Sequence, residues 1–213
     1  MTEDDVKQQL ADITTELFHA GVVTATGGNI SVRCATRYDA AWITPSQIFK
    51  RELTPDQMVM IGMDGKKIQG EFTPSVESVY HASILKHRTN INAVVHTHAP
   101  LSIVFGLCEM ELIPITAEAI FMSNIPMIPW YLAGSNELAV AVEKEVSKTE
   151  ARGAFLRNHG LITIGETLRE AADSTLAVEH TIKILVTCKL VGKEPTEILA
   201  DAMKFLIDYE GGA

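Results

Sequence analysis

Apolar residues recur at helical spacing from the start of the chain: Val6, Leu10, Ile13, Leu17 and Phe18. That spacing predicts an amphipathic helix over about the first 20 residues, ending near Gly21. Short β-prone runs follow at Asn29 to Arg33, Ala41 to Ile43 and Met58 to Met63. Asp64-Gly65 then reads as a hairpin turn before Lys66 to Gln69. Ser75 can cap a helix from Val76 to Lys86, and Ile91 to His96 is a strand rich in β-branched residues. Pro100 opens another helix, with Gly106 near its end. Pro126 to Trp130 reads as extended, and Glu137 to Val146 as helical. Ala154 to Leu156 and Leu161 to Ile164 read as strands around a break at His159-Gly160. Thr167 and Glu170 form a capping box for a long helix to about Val191, and a last helix fits Thr196 to Tyr209.

Helices and strands are therefore interleaved, with at least one hairpin. That predicts an α/β fold whose sheet is mixed or antiparallel and covered by helices on both faces. The length, 213 residues, suits one domain over 1–213, and neither an internal repeat nor a low-complexity linker divides it.

The formal net charge of −9 argues against nucleic acid and anionic membrane as partners. An anionic substrate would need its own local donors and positive charge. Cys34, Cys108 and Cys188 are odd in number, far apart and without a C-x-x-C pair, as expected of thiols in a reducing compartment. The acidic start, Met1 to Asp5, has no apolar signal core, and no apolar run reaches membrane-spanning length. The protein is expected to be cytoplasmic.

The candidate chemistry begins with His96-Thr97-His98 at the end of a predicted strand. Side chains two residues apart on a strand share a face, so two imidazoles can converge on one ion. His159 sits beside a second strand end, in Asn158-His159-Gly160, which a sheet can bring alongside. Three neutral imidazoles with one open position is the pattern of a catalytic zinc, whereas structural zinc is usually closed by thiolates. Taken alone, the pair is equally well explained by two packing histidines. His19, His87 and His180 lie on predicted helices and read as structural.

A second constellation is Thr26-Gly27-Gly28-Asn29-Ile30-Ser31-Val32-Arg33, where glycines, an amide, hydroxyls and a cation fall together. Backbone N–H groups at glycine can approach an anion, though a plain tight turn would need the same glycines. Thr44-Pro45-Ser46-Gln47 and Thr73-Pro74-Ser75 are two further hydroxyl-bearing turns. Glu77 falls in the first turn of the predicted helix, where it either complements the helix dipole or acts as a general base. His81 lies one turn later and can orient it. Glu118 is a second carboxylate, in an otherwise apolar stretch.

These residues resemble the class II aldolase/adducin family from about residue 5 to 195. The resemblance is carried by Gly28-Asn29-Ile30-Ser31-Val32-Arg33, Ile43-Thr44-Pro45-Ser46, Pro74-Ser75-x-Glu77, Val95-His96-Thr97-His98 and Asn158-His159-Gly160-Leu161, in family order. It implies a three-layer α/β/α fold with a central, largely antiparallel sheet, and a homotetramer with active sites between subunits. It assigns zinc, or another divalent ion such as manganese or cobalt, to His96, His98 and His159. It assigns a sugar phosphate's phosphate to Gly28, Asn29, Ser46 and Ser75, and the acid–base role to Glu77. The implied reaction is cleavage of a ketose 1-phosphate to dihydroxyacetone phosphate and an aldehyde, with the ion stabilising an enediolate. Dehydratases, 4-epimerases and decarboxylases share the scaffold. The chain departs from the aldolase pattern at Val76, where a second serine is usual, and at Gln47, where glycine is usual. Ala117-Glu118 stands where the aldolase has a tyrosine acid, a role that Tyr131 or Tyr209 would have to fill.

Overall fold

The first helix, α1 (Glu3–His19), is set by a reciprocal cap. The Thr2 hydroxyl accepts from the Asp5 N–H, and the Asp5 carboxylate accepts from the Thr2 N–H. The computed structural model describes residues 1–120, 125–199 and 201–202. The strands are β1 (Asn29–Arg33), β2 (Ala40–Ile43), β3 (Val59–Gly62), β4 (Lys67–Gln69), β5 (Ala93–Thr97), β6 (Met127–Ile128), β7 (Gly153–Leu156) and β8 (Gly160–Gly165). They form one eight-stranded sheet in the order β4-β3-β2-β1-β5-β8-β7-β6. Every pairing is antiparallel except β6 with β7.

The other helices are α2 (Ser78–His87), α3 (Pro100–Leu107), α4 (Ala117–Ile120), α5 (Asn136–Val142) and α6 (Leu168–Leu190). Alternation along the strands sends side chains to two cores. Ile30, Val32, Trp42, Met60 and Val95 pack with α1 residues Leu10 and Leu17 and with Leu168 and Ala171 of α6. Ile43, Ile61, Val94, Ile162 and Ile164 pack with Ile84 of α2 and with Leu138 and Val142 of α5. The sheet is thus the middle of three layers, as the alternation of elements implied. Phe105 of α3, Phe155 and Val178 of α6 form a third cluster, with ring centroids of the two phenylalanines 4.5 Å apart. Trimming fully buried Ile162 to alanine would cost about 2–5 kcal/mol.

The structure corrects the entry to α2. Ser75 does not cap it; the cap position is Glu77, whose side chain makes no capping bond. Instead the Ser75 hydroxyl accepts from the Glu77 N–H, and the Ser75 carbonyl from the Ser78 N–H, forming a turn ahead of the helix. The Thr167 hydroxyl accepts from the Glu170 N–H as expected, but the Glu170 carboxylate takes the Glu166 N–H rather than closing the box. The helical reading of Glu137 to Val146 holds with a change of winding, α5 passing into a π turn at Glu143–Ser147. Residues 196–199 are not helical, and most of the expected last helix, including Tyr209, lies outside the described residues. No helix among the described residues is long and apolar enough to cross a membrane.

Candidate metal centre

β5 and β8 lie side by side at the centre of the sheet, with His96 opposite Ile162 and Thr97 opposite Leu161. His96 is fully buried at the end of β5, and His98 follows one residue after the strand. His159 comes from the three-residue loop between β7 and β8, which closes at the pair Leu156 and Gly160. Asn158 takes the left-handed conformation at φ 59° to make that turn. A side chain at Gly160 would collide with the Thr97 carbonyl, so only glycine lets the loop approach β5. The three ring centroids are 4.8–5.0 Å apart, and one nitrogen from each ring lies within 4.8 Å of the others.

The tautomer of His96 is legible. His96 Nδ1 bonds the Leu161 carbonyl at 3.1 Å, so it carries the proton and leaves Nε2 as a lone pair. Burial, reinforced by the neighbouring histidines, pushes the His96 pKa well down and lowers that of His98. His96 Nε2 nevertheless has no hydrogen-bond partner, and Glu77 Oε2 lies 3.3 Å from it. Glu77 Oε1, also without a hydrogen-bond partner, lies 3.7 Å from His159 Nε2. At His96 an acceptor therefore faces the carboxylate in a buried space, an arrangement that a cation relieves. The cluster of His96, His98 and His159 is able to hold a metal ion.

Glu77 is buried and held from one side by Asn29, whose Nδ2 donates to Oε2 over 2.8 Å. Asn29 is the first residue of β1 and pairs directly with His96 on β5. His81 enters through Asn29 rather than by touching Glu77. Its Nε2 lies 2.6 Å from Asn29 Oδ1, and its Nδ1 2.7 Å from the Ser31 hydroxyl. Asn29 Oδ1 can only accept, so His81 Nε2 donates and Nδ1 accepts from Ser31. Burial pulls the His81 pKa down to about 3, consistent with a neutral ring in this line of bonds.

The three hydroxyl-bearing turns lie against this line. Gly28 adopts φ 84°, and a side chain there would press within 3.0 Å of the His96 carbonyl. Ser46 N–H bonds the Thr73 carbonyl at 2.9 Å, and Pro45 pairs with Pro74 as an isolated bridge. Ser46 and Ser75 are thereby brought to neighbouring turns. Gln47 stands at φ 58° with its side chain exposed, so it keeps the left-handed turn that glycine would make. Arg33 does not join these groups. Its guanidinium donates to the Tyr38, Leu85 and Ile91 carbonyls and to Asn92 Oδ1, at the opposite end of β1.

Glu118 lies exposed in α4, and among the described residues no hydrogen bond or ion pair joins it to Glu77 or the histidines. Tyr131 lines a surface cavity of about 530 Å³ between β6 and α5 that contains none of the three histidines. Two neighbours of the centre escaped the sequence reading. Tyr80 is buried, stacked on His81 at 5.0 Å and edge-on to His96 at 6.2 Å. Its hydroxyl lies beside Glu77 without a well-formed hydrogen bond, and burial, then the charge of Glu77 and a weak interaction with that carboxylate, raise its pKa well above the usual phenol value. Glu179 of α6 accepts from the Leu101 and Ser102 N–H groups and the Ser102 hydroxyl at 2.8–3.0 Å, capping α3 just after His98. Neither residue carries a local sequence signal, because both contacts join distant elements.

Known proteins resemble this chain in sequence and in fold. The chain is 30% identical over 188 residues to the L-fuculose phosphate aldolase of Methanocaldococcus jannaschii, covering 88% of this chain and 99% of that one. It is 28% identical over 203 residues to the 3-oxo-tetronate 4-phosphate decarboxylase of Escherichia coli, covering 92% of each. A solved structure of an L-fuculose 1-phosphate aldolase superposes with a TM-score of 0.87 at 27% identity, covering 99% of this chain and 98% of that one. The family model described as class II aldolase and adducin N-terminal domain matches residues 8–186. With that match spanning most of its length, the chain belongs to the class II aldolase and adducin N-terminal domain family.

Proposed function

We propose that this protein is a zinc-dependent aldolase that cleaves a ketose 1-phosphate to dihydroxyacetone phosphate and an aldehyde. One observation carries the reading: a buried carboxylate, Glu77, stands 3.3 Å from His96 Nε2 and 3.7 Å from His159 Nε2 in a cluster of three imidazoles. A divalent ion bound there would supply Lewis acidity to the ketone and hydroxyl oxygens of the substrate. Zinc suits three neutral imidazoles best, with manganese or cobalt as substitutes. Glu77 moves the proton on the reacting carbon, removing it in condensation and returning it after the C3–C4 bond breaks. Asn29 orients Glu77, while Gly28 N–H, Asn29 and the Ser46 and Ser75 hydroxyls hold the phosphate. Glu118 enters as a second acid–base group if a neighbouring copy brings the site to it. Exposed Val76, Trp130, Leu132 and Val140 support assembly with other copies, read here as a homotetramer.

A second reading, decarboxylation of a sugar-acid phosphate on the same residues, is favoured by the similarity to the Escherichia coli decarboxylase. The deciding experiment incubates the zinc-loaded enzyme with a panel of ketose phosphates and 3-oxo acid phosphates. Release of dihydroxyacetone phosphate supports the aldolase, and release of carbon dioxide replaces it with the decarboxylase. Glu77→Gln should keep the metal and slow proton exchange on dihydroxyacetone phosphate by about 10²–10⁴-fold. An unchanged exchange rate would remove Glu77 from the acid–base role.

A further inference from the structure

Lys50 opens a short 3-10 turn, Lys50–Glu52, three residues after Gln47. Although lysine is rarely buried, its side chain is only 1% exposed. The ammonium donates to the Pro45 carbonyl over 2.7 Å, and the Lys50 N–H donates to the Ala25 carbonyl over 2.9 Å. Lys50 therefore ties the segment before Gly28 to the turn that carries Ser46. Through the Pro45–Pro74 bridge and the bond from Ser46 N–H to the Thr73 carbonyl, that turn is tied to the one carrying Ser75.

An ammonium has three protons to place, and among the described residues this one meets a single neutral acceptor, the Pro45 carbonyl. Among the described residues no carboxylate lies within ion-pair distance of it. Burial alone pulls its pKa from 10.5 to about 8, with no contribution from any charged or titratable neighbour. A buried charge without a counter-charge is a standing cost to the fold. A bound anion would offset that cost, and in a chain of net charge −9 an anionic substrate needs a local positive field. Arg33, the cation suggested by sequence, is spent on carbonyls at the other end of β1.

We propose that Lys50 is the cation of the phosphate subsite, a positioning residue that holds the Pro45–Ser46 turn and supplies the positive field for the substrate's phosphate. It acts from behind the turn, through Pro45 and through space. The inference rests on the phosphate reading given above for Gly28, Asn29, Ser46 and Ser75.

The test compares full-length wild type with Lys50→Met, which keeps the length of the side chain and removes the charge; Lys50→Gln is carried alongside in case methionine disturbs the turn. Inorganic phosphate is titrated calorimetrically into each protein. At pH 7 its affinity should fall about tenfold in the variants, while the thermal midpoint of Lys50→Met rises because a buried uncompensated charge is gone. At pH 8, wild type should take up about half a proton more than Lys50→Met on binding, read from two buffers of different ionisation enthalpy. With a ketose 1-phosphate as substrate, KM should rise by more than kcat falls. Equal phosphate affinity and equal proton uptake in wild type and variants would overturn the role of Lys50 and leave the phosphate subsite standing. Failure of wild type to bind inorganic phosphate while it still cleaves an unphosphorylated ketose would overturn the subsite itself, and Lys50 with it.

Discussion

Asn29 holds Glu77 by one amide proton, at 2.8 Å, and faces His81 with its oxygen at 2.6 Å. One N–H of the amide is left for a ligand. In the proposed reaction the same group therefore touches both the base and the substrate. Asn29→Ala should lower kcat by about 10²-fold through loss of orientation, with metal content per chain unchanged. Elemental analysis beside steady-state kinetics checks both halves, and full activity in the variant would refute the coupling.

Acid should weaken the fold through His81. Its folded pKa is depressed to about 3, against 6.5 for a free imidazole. Between those values the unfolded chain binds a proton that the folded protein does not. Stability is therefore full above pH 6.5 and falls as pH drops toward 3, by roughly 1.4 kcal/mol per pH unit for this group. Urea unfolding across that range should give a shallower slope for His81→Gln than for wild type. Identical slopes would mean that His81 does not stay neutral.

Removing either His96 or His159 should abolish stoichiometric binding of zinc and leave the far-ultraviolet spectrum of the fold in place. Equilibrium dialysis followed by elemental analysis measures this directly. Retention of one ion per chain in both His96→Ala and His159→Ala would move the metal site elsewhere.

Glu179 predicts an effect at a distance from the reacting groups. Glu179→Ala frees two N–H groups and a hydroxyl at the start of α3, costing about 1–2 kcal/mol. For a chain of this size that lowers the melting temperature by about 2–8 °C. Because His98 lies directly ahead of α3, zinc should also dissociate faster from the variant in a chelator competition. A lowered melting temperature with wild-type zinc release would confine Glu179 to stability.

The parts legible in the sequence were those written in local spacing. Asn29 to Arg33 is bounded correctly as a strand, and the spacing of His96 and His98 puts them on one face, though the pair takes its weight from His159, Glu77 and the Gly28-Asn29 turn. Ser75 misled because a serine three residues before a helix can bond the Glu77 N–H and build a turn instead of a cap. Arg33 looked like an anion ligand because it shares a motif with Gly28, yet a strand of five residues carries it to the far edge of the site. The line from Ser31 through His81 and Asn29 to Glu77 spans about fifty positions at each step, which no periodicity encodes. Lys50 was invisible for another reason: its chief partner is a backbone carbonyl, which every residue possesses.

The pairing of β5 with β8 has a bearing on how the protein is made. His96 and Leu161 approach each other across 65 positions of intervening chain, so this register is closed only after a long loop has been drawn in. Contacts of that separation slow folding, because loop entropy is lost before they reward it. An ion held by His96, His98 and His159 would thus meet all three side chains together only once β5, β7 and β8 are joined at the middle of the sheet.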